Sequence, residues 1–188
     1  MTGEIVKQLD IIFKASSIAV IGASNTRRKW GYGLVNNPLK SGYRGAIYPV
    51  NPKEKEIIGI RAYPSVGDIP YDVDLAVVAV PARAVPKVMA ECVAKGIKGA
   101  VLVTAGFAEI GEEGRILQDE VVKIAQQGGM RFVGPNGQGI WSSAVRLNLS
   151  FDEHLQEGHI AFVSQSGTFG DFLARLANIK GYGLSKFI

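Results

Sequence analysis

Residues 47–53 read Ile-Tyr-Pro-Val-Asn-Pro-Lys, and their apolar start has the character of the second strand of a βαβ nucleotide-binding unit. An NAD site puts Asp or Glu near the end of that strand, to hold the ribose hydroxyls. Asn51, Pro52 and Lys53 stand there instead. An ammonium group at that point suits a ribose that carries a phosphate, which narrows the candidate ligands to NADP-like or coenzyme-A-like nucleotides. The alternative for Lys53 is a solvated surface charge.

Four further loops could meet the same ligand. Gly22-Ala23-Ser24 leaves an apolar run at its carboxyl end, where doubly wound sheets bind ligands. Its amides can face a diphosphate, and Ser24 can donate a hydroxyl hydrogen bond. The G-x-G-x-x-G fingerprint is absent, because the next glycines are Gly31 and Gly33. A wider loop over Asn25 to Trp30 follows, carrying Arg27, Arg28 and Lys29, each of which is otherwise a solvated charge. Ala79-Val80-Pro81-Ala82 ends another apolar run, and Pro81 fixes the angle at which the chain leaves it. Thr104-Ala105-Gly106-Phe107 and Gly134-Pro135-Asn136-Gly137-Gln138-Gly139 are loops rich in small residues. Gly106 permits close backbone approach, and Asn136 can hold an amide or a neighbouring loop. Glycines that simply make turns satisfy the same pattern.

Ser164-Gln165-Ser166-Gly167-Thr168 places hydroxyls around a glycine between a strand and a helix. The free amides and dipole of such a helix start make an anion pocket. A nucleophilic serine is the rival, but the hydrolase elbow needs G-x-S-x-G, and its first glycine is missing. Cys92 lies on a buried helical stripe and reads as core. His154 and His159 have no Cys or carboxylate at ligand spacing, so no metal site is expected.

The elements that must hold these loops alternate regularly. Ile5, Leu9, Ile12 and Phe13 share one face of an opening helix. Strands are expected at Ser17–Ile21, Ala46–Val50, Leu75–Val80, Gly99–Val103 and Arg131–Val133. Helices are expected from Trp30 to Lys40, over Val85 to Val93, and from Glu112 to about Gln127. Gly42, Gly96 and Gly128-Gly129 stop them. Residues 54–72 read as irregular, with a helical turn near Val66. Short apolar strands alternating with helices argue for a doubly wound parallel sheet over about residues 1–140. A second unit follows: strand His159–Val163, a helix with Phe169, Phe172, Leu173, Leu176 and Ala177 on its apolar face, and a strand from Leu184. That much chain cannot bury a core of its own.

Bulk composition excludes several classes. The 188 residues are 47% hydrophobic and 20% charged, with a net charge of +4. This favours anionic small ligands but gives no nucleic-acid signature, since no basic run exceeds Arg27-Arg28-Lys29. One cysteine rules out an internal disulfide framework. Glu4, Lys7 and Asp10 interrupt any signal-peptide pattern, and no apolar stretch nears the roughly 18 residues of a membrane span. A cytoplasmic protein is expected.

Taken in order, Val20-Ile21-Gly22-Ala23-Ser24, Tyr48-Pro49-Val50-Asn51-Pro52-Lys53, Ala79-Val80-Pro81-Ala82, Gly134-Pro135-Asn136 and Val163-Ser164-Gln165-Ser166-Gly167-Thr168 resemble the N-terminal part of NDP-forming acyl-CoA synthetases. ADP-forming acetate–CoA ligase is an example, and succinyl-CoA synthetase α subunits are more distant relatives. The resemblance implies a Rossmann-like CoA-binding domain over 1–145. It implies that 146–188 begin a second, flavodoxin-like α/β domain that is truncated. CoA contacts are implied at Gly22, Ala23, Ser24, Lys53, Val80, Pro81, Thr104, Ala105, Gly106 and Asn136. Phosphate contacts are implied at Ser166, Gly167 and Thr168, at the tip of a helix that stabilises a phosphohistidine.

The family reaction is acyl-CoA + ADP + phosphate ⇌ acid + CoA + ATP, through an acyl phosphate and that phosphohistidine. Neither His154 nor His159 matches the phosphorylated histidine, and the ATP-grasp part has no counterpart. The resemblance therefore assigns no catalytic residue here. ATP/ADP and Mg belong to the complete enzyme, and ligase domains or a partner subunit must supply the rest. Asp171 stands where the succinyl-type subunits have a tyrosine, so that role does not transfer. Two other readings fit part of the pattern: a CoA-sensing regulatory module, as in protein acetyltransferases, and an NADP-binding oxidoreductase domain. The apolar helix face after Thr168 makes self-association plausible.

Overall fold

The computed structural model describes residues 2–188. Five strands form the main sheet: β1 (Ser17–Ile21), β2 (Ala46–Val50), β5 (Leu75–Val78), β6 (Gly99–Leu102) and β7 (Arg131–Val133). Their order is β2-β1-β5-β6-β7, all parallel. Helices α1 (Thr2–Phe13), α2 (Trp30–Ser41), α3 (Val85–Ala94) and α4 (Glu112–Gln127) connect or flank them. Side chains alternate across a strand, so each strand feeds two cores. Ile18 and Val20 of β1 pack with Ile12, Leu34 and Val35 from α1 and α2. Ala19 and Ile21 belong to the opposite core, with Met89 and Cys92 of α3 and Val121 of α4. A sheet covered on both sides explains why its strands read as continuous apolar runs.

The expected bounds of β1, β2 and β7 agree with the structure. β5 and β6 end sooner than expected, at Val78 and Leu102, because Ala79–Pro81 and Val103–Thr104 have already turned into loops. The segment 54–72 is not wholly irregular. β3 (Glu56–Ile57) and β4 (Ile60–Arg61) pair as a hairpin around Gly59. In α1, Ile12 and Phe13 are buried, but Ile5 and Leu9 are exposed. The opening helix thus packs by its last turn.

A second sheet has the order β10-β11-β8-β9, from β8 (Trp141–Ser142), β9 (Leu147–Asn148), β10 (Glu157–Phe162) and β11 (Leu184–Phe187). It draws two strands from residues that precede Gly158. Trp141 of β8 joins Phe151, Leu155, Ala174, Leu184 and Phe187 in a small core. Phe151 meets Phe187 edge-on at 4.9 Å, and Phe162 stacks on Phe187 at 5.7 Å. Ser142 Oγ donates to Phe13 O at 2.5 Å and ties this sheet to the end of α1.

Helix α5 (Gly167–Ile179) leaves its apolar stripe outward and turns small residues inward. Its buried residues are Gly170 and Ala174, and Gly170 lies directly over the Phe187 ring. Phe169, Phe172 and Leu176 are exposed. Small residues win the contact because β11 presents a bulky aromatic there.

Candidate nucleotide-binding site

Parallel strands deliver their carboxyl ends to one edge, so five loops converge there. Gly22 follows β1 with φ 90°. A Cβ at Gly22 would lie 2.7 Å from Ala79 O, so only glycine fits the turn. Ala23 is fully buried. Ser24 Oγ accepts from Thr26 N at 3.1 Å, and Asn51 Nδ2 donates to Ala23 O at 2.8 Å. Asn25 donates from Nδ2 to Glu56 O at 2.9 Å and accepts from Ile58 N at 3.0 Å. The two asparagines therefore clamp the first turn to β2 and to the β3–β4 hairpin. The sequence marks Asn51 as a non-acidic strand-end residue within the Tyr48–Lys53 run, but carries no signal of this clamp.

Lys53 lies in the turn after β2, with its side chain exposed. Its backbone N–H donates to Asn51 Oδ1 at 2.8 Å. The same asparagine thus positions both the Gly22 turn and the lysine.

The ends of β5, β6 and β7 enclose a cleft of about 610 Å³. Val80, Pro81, Thr104, Ala105 and Asn136 line it, and Gly167 and Thr168 close it from the second unit. Gly22, Ala23, Ser24, Lys53, Gly106 and Ser166 are not among its lining residues. Thr104 Oγ1 donates to Val80 O at 2.8 Å, and Asn136 N donates to Thr104 O at 2.9 Å. These bonds cross-link three loops and leave the Thr104 oxygen lone pairs for a ligand N–H.

Ser166 is the N-cap of α5, its Oγ accepting from Phe169 N at 3.3 Å. This accounts for the hydroxyl at that position. Trp30, Gln138 and Gln165 also line the cleft. Trp30 was not foreseen as a site residue. Its signal was a large aromatic at the first helical position after a basic loop.

Glu109 shapes the loop after β6. Its Oε1 accepts from Gly106 N at 2.5 Å. Burial works against ionisation, but the backbone N–H groups of Gly106, Glu109 and Phe107 outweigh it and lower the pKa from the usual 4.5. A carboxyl with a lowered folded pKa stabilises the fold fully above its unfolded pKa, and that contribution fades as pH falls through the folded value. The parent should therefore lose more thermal stability than Glu109→Gln on acidification below about pH 4.5. Parallel melts of the two proteins check this; identical pH dependence would show that the contact contributes nothing.

Cys92 is fully buried in α3, and burial pushes its thiol up to about 12, with Glu91 adding to the effect. It is core, as expected. His154 and His159 are exposed. Among the described residues no group of three or more His, Cys, Asp or Glu could hold a metal ion, and no helix is long and apolar enough to cross a membrane.

A family model described as CoA binding domain matches residues 16–141. The α subunit of ADP-forming acetate–CoA ligase II from Pyrococcus furiosus is 46% identical over 180 residues, covering 96% of this chain and 39% of the relative. A crystal structure of a Pyrococcus horikoshii protein superimposes with a TM-score of 0.91 at 47% identity, covering 96% of this chain and 41% of the other. A dinucleotide-forming acetyl-coenzyme A synthetase 1 from Ca. Korarchaeum cryptofilum, solved with phosphate and ADP, also gives 0.91, at 39% identity over the same 96% of this chain. The chain thus spans about two fifths of the length of these relatives.

Proposed function

The chain belongs to the CoA-binding domain family, and from that premise we propose that it is the CoA-binding portion of an NDP-forming acyl-CoA synthetase. The complete enzyme would catalyse acyl-CoA + ADP + phosphate ⇌ carboxylic acid + CoA + ATP. The observation that carries the reading is the convergence of five strand-end loops on one edge of the sheet, three of them around one cleft, in a chain similar to such ligases over 96% of its length.

In this reading Gly22 makes the turn, its own N–H donating to Val50 O, and the amides of Ala23 and Ser24, with the start of α2, receive the CoA diphosphate. Lys53 meets the phosphorylated ribose end. Val80 and Pro81 flank the pantetheine arm, and Thr104 Oγ1 accepts from one of its amides. Thr104, Ala105, Gly106 and Asn136 surround the thiol end. Ser166, Gly167 and Thr168 present the first amides of α5 to phosphate across the cleft. Residues 1–145 act as the CoA-binding unit, and 146–188 begin a second ligase-type α/β unit.

No residue of this chain is assigned a catalytic role. The phosphorylated histidine and the Mg- and nucleotide-binding part would come from further ligase domains or a partner subunit, in the cytoplasm where CoA and ADP are at hand. Calorimetric titration with CoA, NADP and NAD tests the assignment. CoA should bind, and NADP and NAD should be at least about tenfold weaker. Binding of NADP with no detectable CoA binding at about 1 mM, a limit near −4 kcal/mol, would overturn it.

A further inference from the structure

With CoA and phosphate placed as proposed above, the acyl carbon has a defined position. A phosphate oxygen attacks the thioester carbonyl, the C–S bond breaks, and CoA leaves as the thiolate. The carbonyl must therefore reach both the thiol and the phosphate. With the thiol beside Asn136 and the phosphate at the start of α5, that point lies between Asn136 and Gly167. Both residues line the CoA cleft, and both also line a neighbouring pocket of about 460 Å³. Gly137, Gln138 and Gln165 are shared as well. The two cavities adjoin where the acyl chain must depart.

This neighbouring pocket is bounded by the loop after β7, the Ser164–Gly167 turn and the end of β11. Val133, Pro135, Phe187 and Ile188 give it an apolar side, and none of its lining residues is charged. Hydrogen bonds hold its walls: Asn136 N donates to Thr104 O at 2.9 Å, and Ser164 N to Ile188 O at 2.9 Å. Cavities of roughly 300–1,000 Å³ enclose drug-sized ligands, so the two carbons of an acetyl group leave most of this one unfilled. A carboxylate at the far end of a dicarboxylic acyl chain would be buried there with no cation to pair it.

We propose, on the footing of the CoA assignment, that this pocket receives the acyl chain of the thioester and selects uncharged chains longer than acetyl. Calorimetry on the whole chain tests it, with CoA, acetyl-CoA, butyryl-CoA and succinyl-CoA. Each buried CH₂ tightens binding about fourfold, so butyryl-CoA should bind about tenfold tighter than acetyl-CoA. Succinyl-CoA carries a carboxylate in place of the terminal methyl of butyryl-CoA, and should bind no tighter than acetyl-CoA.

Two variants narrow the pocket. A Cβ on Gly137 would have Leu102 O as its nearest neighbour, at an ordinary 3.6 Å, so Gly137→Val has room to fold. Gly137→Val and Val133→Phe should each bring butyryl-CoA and acetyl-CoA to within about twofold of one another. Phe172→Ser, on the exposed stripe of α5, should leave the preference intact. Equal affinities of the parent for acetyl-CoA and butyryl-CoA would overturn the proposal, as would succinyl-CoA binding as tightly as butyryl-CoA. So would a butyryl preference that survives both pocket variants or disappears in Phe172→Ser. A chain that binds CoA and all three esters alike loses the acyl pocket alone, whereas one that binds neither CoA nor its esters loses the CoA assignment with it.

Discussion

Gly31→Ala should destabilise the chain by about 3 kcal/mol or more and weaken CoA binding at least tenfold, about 1.4 kcal/mol. Helix propensity alone points the other way, since alanine is favoured over glycine inside a helix by about 1 kcal/mol. Packing reverses the sign. A Cβ on Gly31 would lie 1.9 Å from Gly22 O and 2.9 Å from Gly22 C. Both are backbone atoms, with no side-chain torsion to relieve the contact. The start of α2 must retreat from the Gly22 turn, and that junction is where the diphosphate is proposed to sit.

Gly33, two residues along the same helix, is the control. Its Cβ would meet only Asn37 Nδ2, at an ordinary 3.6 Å. Gly33→Ala should be neutral or stabilising by up to about 1 kcal/mol. Thermal melts and CoA titrations of both variants check the pair. Equal behaviour at the two positions would show that the close approach does not govern the site.

Trp141→Ala should cost about 3–5 kcal/mol, or on the order of 10 °C in melting temperature for a chain of this length. Trp141 is fully buried and donates from Nε1 to Leu184 O at 3.4 Å. Its strand joins β9 to β11, and its side chain is among the largest in the small core beneath α5. The loss should be local. Hydrogen exchange should rise in β10, β11 and α5, and remain low in β1, β5 and β6, whose residues lie in the two other cores. Uniform exchange across the chain would mean that the two sheets unfold as one unit.

The parallel sheet was legible because β1, β5 and β6 are buried on both faces and contain little but apolar residues. Breaks such as Gly42 and Gly96 are local and strong, and both adopt positive φ. In the second sheet β10 and β11 match expected strands, but β8 and β9 were not legible. Trp141–Ser142 and Leu147–Asn148 are two-residue strands, too short for any period to register; they pair with each other, and Trp141–Ser142 also pair with Lys186 and Phe187, more than 40 positions away. The inward face of α5 was hidden for a related reason. Phe169, Phe172 and Leu176 form a clean apolar stripe, but Phe187 leaves room only for Gly170 and Ala174.

The candidate site divides along similar lines. Its loops could be named from strand ends alone. What clamps them could not, because Asn25 and Asn51 act through hydrogen bonds to residues about 30 positions distant. Trp30 and Gln138 were hidden for the same reason, since only the folded chain brings α2 beside the loop after β7.

The account rests on Lys53, in the turn after β2. The most direct measurement is a cycle of CoA and 3′-dephospho-CoA affinities for the parent chain and Lys53→Ala. The parent should favour CoA over dephospho-CoA by about tenfold, as expected for a charge-assisted contact to phosphate. Lys53→Ala should bind the two alike, with dephospho-CoA affinity little changed. A Lys53→Ala chain that binds CoA as tightly as the parent would contradict the account and leave Lys53 an ordinary surface charge.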